Sequence, residues 1–63
     1  MNKLFKNQQI TKLEKRKKEL MHLIGINMDS YEFTNDVKFK EKADEYVHEF
    51  DEVEKELETL EES

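Results

Sequence analysis

Two Glu-x-x-His pairs, Glu19/His22 and Glu45/His48, set a carboxylate and an imidazole one helical turn apart, the spacing used in di-iron helical bundles. The run KLEKRKKEL, residues 12–20, clusters basic side chains that could engage phosphates or an anionic surface. A third feature is Asp44, which follows the only alanine of the chain within FKEKADEYVHEF, residues 39–50. Nucleophilic chemistry has little to draw on. There is no Cys, there are two His, Ser30 is the one serine before the terminal residue, and no glycine-rich phosphate loop occurs.

What these groups can do depends on the elements that hold them. A chain of 63 residues is one small domain, 1–63, and a single core at this size buries only about 60% of the unfolded surface. With 43% charged and 35% hydrophobic residues, one Gly and no Pro, the composition suits long helices, since sheets need frequent turn residues. Absence of cysteine excludes a disulfide framework and thiolate metal sites. The start, MNKLFKNQQ, lacks the apolar stretch of a signal peptide, and no run is apolar enough to span a membrane, so a cytoplasmic protein is expected.

In the second half, Phe39, Ala43, Tyr46, Phe50, Val53, Leu57 and Leu60 follow 4-3 spacing, the heptad seam of a helix packed at a shallow angle on another. Ile10, Leu13, Lys17, Leu20 and Ile24 repeat it in the first half, with Met21 and Leu23 widening the stripe. The pattern predicts an all-α, coiled-coil-like antiparallel two-helix hairpin: a helix over about 7–24, a loop over 25–35 and a helix over about 36–60, with frayed ends. Asn7 or a Thr11-x-x-Glu14 box would cap the first helix, and Gly25 would lie just past its end. Ile26, Met28, Tyr31 and Phe33 would then fold over the open end. Thr34, Asn35 or Asp36 would cap the second helix, and the terminal glutamates would fray its last turns, where the helix dipole disfavours negative charge.

Charge is divided between the halves. Residues 1–24 carry +5 and residues 36–63 carry −8 within a net charge of −5, so a basic helix folding back on an acidic one gains long-range attraction. No nucleic-acid partner is expected, because the acidic helix opposes it and no stacking platform or reading motif occurs. No membrane partner is expected either, because the hairpin already uses the apolar stripe. With Lys17, Leu20, Ala43 and Tyr46 inward, both Glu-x-x-His pairs point outward, and no metal site is expected. Periodicity alone reads Asp44 as a solvated carboxylate on the helix flank.

The arrangement KRKKELMHLIGI, then a crossing, then FKEKADEYVHEF resembles the small two-helix aspartyl-phosphate phosphatases that regulate sporulation in spore-forming bacteria, of the stage-zero E type. The resemblance covers about residues 10–50. The family pattern opens its second helix with Ser-Gln-Glu-Leu-Asp, and here Lys40, Glu41, Lys42, Ala43 and Asp44 fall on it, followed by Tyr46, Val47 and Phe50. Only the aspartate is kept. Lys40 stands in place of a hydroxyl and could attract a phosphoryl group, whereas Glu41 stands in place of a neutral amide and would repel one.

The resemblance implies a negative regulator of sporulation signalling that docks on a phosphorylated response-regulator receiver domain and promotes hydrolysis of its aspartyl phosphate. Asp44 would be the catalytic residue, and Lys40, Glu41, Ala43, Val47 and His48 would meet the partner. The protein would need no cofactor of its own, the Mg2+ ion being bound by the receiver. Small Ala43 would let the partner or the first helix approach the backbone beside Asp44. The alternative is a non-catalytic helical interaction module, either a homodimer or a protein that sequesters a response regulator; the heptad seam suits a monomeric or a dimeric arrangement.

Overall fold

The computed structural model describes residues 3–62, so Met1, Asn2 and Ser63 of the expected 1–63 domain lie outside the described residues. It is an antiparallel hairpin of two helices, α1 over Lys3–Thr34 and α2 over Val37–Glu62, with no strand among the described residues. At about 1.5 Å rise per residue, the 32 residues of α1 account for the 48 Å long axis of a body 14 by 12 Å across.

The expected loop over 25–35 is corrected: α1 runs straight through it. Gly25 is exposed, has no positive φ, and an added Cβ there would meet nothing within 4 Å. It therefore serves no turn. The heptad seam does not stop at Ile24 but continues 3-4 through half-buried Asn27 and Tyr31. The Asn27 amide Nδ2 donates to the Leu23 carbonyl at 2.8 Å, so its polar group is satisfied within its own helix. Ile26, Met28 and Phe33 consequently lie exposed along α1 instead of folding over an open end.

All of the reversal falls on two residues. Asn35 takes the left-handed conformation, φ 57°, which asparagine tolerates better than most L residues, and its N–H donates to the Tyr31 carbonyl at 2.7 Å. Thr34 Oγ1 donates to the Ser30 carbonyl at 2.8 Å and accepts from the Asp36 N–H at 3.1 Å. Asp36 is the N-cap of α2: its Oδ1 accepts from the Lys38 N–H at 3.1 Å. At the other end of α1, Thr11 Oγ1 donates to the Asn7 carbonyl at 2.9 Å, so both supposed caps sit inside a helix that begins at Lys3.

The core is small. Leu20, Val53 and Leu57 are buried, with Ile10, Leu13, Tyr46 and Phe50 packed against them. Ala43 is buried farther toward the turn. Buried Leu57 and half-buried Leu60 hold the last turns of α2 on the seam, so the helix continues to Glu62 despite its glutamates. Lys17, the lysine on the seam, lays its stem along it and carries its ammonium to the edge, 5.6 Å from the Phe50 ring centroid and 3.4 Å from Glu54.

Among the described residues, one ion pair joins the helices on each flank. Lys17–Glu54 closes one, and Arg16 grips Glu49 on the other through two bonds, Nε to Oε2 at 2.7 Å and Nη2 to Oε1 at 3.0 Å. Arg16 also reaches Glu19 at 3.3 Å. Its guanidinium hydrogen bonds hold the Glu49 carboxyl below the ordinary carboxylate value, against a smaller opposing effect of desolvation.

Two outcomes follow from this fold. Gly25→Ala is expected to stabilise the hairpin by about 0.5–1 kcal/mol in chemical denaturation, because alanine costs a helix interior less and has room; a destabilised variant would mean that Gly25 is a hinge. The Glu49 contribution is present above the ordinary glutamate value of about 4.3 and is lost as pH falls through the lower folded-state value. Thermal melts between about pH 5 and 3 should therefore show Glu49→Gln losing less stability than the native chain, and equal losses would contradict the assignment.

Candidate functional site

The outer face of α2 carries the residues singled out by sequence. Lys40, Glu41, Asp44, Val47 and His48 are all exposed, and their i, i+1, i+4, i+7, i+8 spacing places them on one side of the helix. Asp51 extends the same line one turn past Val47 and is also exposed; its i+7 relation to Asp44 is the signal that would have found it. Ala43 is corrected. At 1% exposure it faces α1, so in the folded hairpin its side chain is not available to a partner. The small residue beside Asp44 admits the first helix.

Asp44 projects from a rigid mid-helix position. The side chains of Lys40, Glu41 and Asp44 enter no ion pair or hydrogen bond among the described residues. Their neighbours are engaged: Lys42 lies 3.9 Å from Glu45 and over the Tyr46 ring at 5.5 Å, and His48 Nε2 is 3.4 Å from Glu52 Oε1. A free carboxylate in this setting can accept a hydrogen bond from water and orient it, or pair with a cation. Lys40, one turn before it, offers positive charge to an anion, while Glu41 and Asp51 make the stripe net acidic.

The two Glu-x-x-His pairs do not converge. Glu19 is bonded to Arg16, Glu45 to Lys42, and among the described residues no three of His, Asp and Glu come together as a ligand set. The basic run of α1 is partly spent inside the molecule, since Arg16 and Lys17 hold Glu49 and Glu54. No helix among the described residues is long and apolar enough to cross a membrane.

Sequence reasoning did not anticipate the division of the remaining apolar surface between two flanks. Arg16, Leu23, Ile26 and Phe33 recur on one line of α1, and Lys17, Met21 and Met28 on another. Met21, Ile26, Met28 and Phe33 are exposed at 58%, 47%, 42% and 91%. No protein-family model matches the chain, and no curated protein or solved structure matches it.

Proposed function

We propose that the hairpin docks the outer face of α2 on a phosphorylated receiver domain and promotes hydrolysis of its aspartyl phosphate, acting as a negative regulator of sporulation signalling. The observation that carries this reading is Asp44 itself: an exposed carboxylate without a partner, on a stiff helix, centred in a face that also presents Lys40, Val47 and His48. An acyl phosphate is already reactive, so a visiting helix needs only to position water in line with the breaking bond. The water oxygen bonds to phosphorus as the acyl oxygen departs with the bonding pair, releasing inorganic phosphate and the receiver carboxylate. Asp44 accepts a hydrogen bond from that water, and Lys40 offsets the charge of the phosphoryl oxygens. The Mg2+ ion belongs to the receiver, and the role belongs in the cytoplasm.

A second reading is favoured by one observation. Glu41 is exposed beside Asp44, and its charge opposes a phosphoryl dianion, which suits a protein that binds and sequesters a response regulator without turning it over.

Loss of label from a panel of phosphorylated receivers, followed with and without the protein, tests both. Acceleration of at least one receiver is expected, with Asp44→Ala reducing it about 100-fold while helicity by circular dichroism stays unchanged. An Asp44→Ala variant with full activity would remove Asp44 from the mechanism. Binding without acceleration would leave the sequestering reading.

A further inference from the structure

We propose that the receiver's footprint runs lengthwise along the outer face of α2 from Val37 to Asp51, with Val37 and Val47 as its apolar contacts on either side of Asp44 and with Asp51 against a basic part of the receiver. The inference rests on the reading of Asp44 given above and names what surrounds that residue. Val37 stands seven residues before Asp44 and Asp51 seven after it, so the three share one line of the helix. All three are exposed, Val37 at 56%, and Val47 lies on the edge of the same stripe at 43%. At about 1.5 Å rise per residue, Val37 and Asp51 are each about 10 Å along the axis from Asp44. A standard interface buries roughly 800 Å² on each partner, a patch about 30 Å across. A receiver centred on Asp44 therefore covers both.

The fold does not account for these residues. Val37 is no part of the buried set Ala43, Val53 and Leu57, and valine forms helix less readily than the lysines and glutamates that fill most of the exposed surface of α2. The first turn of α2 holds no acid and carries Lys38 and Lys40, although the helix dipole disfavours cations there. Lys38 reaches Asp36 at 4.0 Å, whereas the Lys40 ammonium enters no ion pair among the described residues. Residues 41–62, by contrast, hold eleven acids against two lysines. The outer face thus changes sign along its length, from cationic at the turn to acidic at Asp51 and beyond. A phosphoryl group is attracted to the first end and repelled by the second. This sets the receiver's phosphoryl group toward the turn and places basic side chains of the receiver over Asp51. Successive helical residues point about 100° apart, so Lys40 and Glu41 border opposite edges of the stripe, and the phosphoryl group lies on the Lys40 edge.

Affinity is best read in the Asp44→Ala background, where bound receiver keeps its phosphoryl group. Titration of the phosphorylated receivers into that variant should give a Kd that rises about tenfold when Val37→Ser is added. Adding Asp51→Asn instead should raise it about threefold, a loss that fades as salt is increased. With Asp44 intact, either change should raise KM and leave kcat as it is. Phe33→Ser, at an exposed site on α1, should alter neither affinity nor turnover. An unchanged Kd on adding Val37→Ser or Asp51→Asn would overturn the footprint, as would an equal loss with Phe33→Ser; turnover lost in Asp44→Ala would then leave the reading of Asp44 standing without it. Failure of every receiver to bind would overturn both.

Discussion

The hairpin depends on a reversal confined to two residues. Because Asn35 adopts the left-handed conformation and Asp36 immediately caps α2, no slack remains between the helices, and counting outward from the turn determines which residues meet. A longer crossing would have allowed α2 to slide along α1. With the two-residue turn, Leu20 joins Val53 and Leu57 in the core, Lys17 reaches Glu54, and Arg16 reaches Glu49. Seating Ala43 against α1 orients its neighbour Asp44 away from it. The exposure of the candidate carboxylate is thus a consequence of register, set eight residues away.

Electrostatics reinforces that register more than it supplies stability. Partly exposed ion pairs contribute little individually; here a bidentate arginine pair closes one flank and a lysine pair the other. The seam lysine shows how a charge is accommodated there: its stem packs while its ammonium finds both an aromatic face and a carboxylate. What remains after these pairings is an α2 outer face with excess negative charge and an α1 with excess positive charge, and this polarity governs which surfaces can approach the molecule.

Much of this was legible in the sequence, for identifiable reasons. The α2 seam is written in apolar residues from Phe39 to Leu60, and only a helix satisfies that spacing. Residue type next to the onset of the pattern narrows the cap of α2 to Thr34, Asn35 or Asp36, and the bond from the Lys38 N–H to Asp36 decides among them. The end of α1 is hidden in the sequence because Gly25 is a strong local signal for a helix end, whereas the continuing seam is carried by Asn27 and Tyr31, a polar and an amphipathic residue that a hydrophobic count passes over. Tertiary packing outweighed the propensity of one glycine, which costs only about 1 kcal/mol in a helix interior. Caps were likewise sought at Asn7 and Thr11, although nothing between Lys3 and Ile10 breaks a helix. At the site, periodicity puts Asp44 and His48 outside and Ala43 on the seam; Lys40 and Val47 come from the resemblance, and whether small Ala43 admits the partner or the first helix is open because sequence alone does not show how closely α1 approaches. The apolar flanks were invisible for the same reason: assigning Met21, Met28, Ile26 and Phe33 to one side or the other needs the ion pairs that join the helices.

Backbone chemical shifts of residues 25–34 in solution test the central claim most directly, since register, core and the outward face of Asp44 all require α1 to run unbroken to its turn. Helical shifts through Gly25 to Thr34, interrupted only at Asn35 and Asp36, are predicted. Coil shifts across that segment would contradict the account.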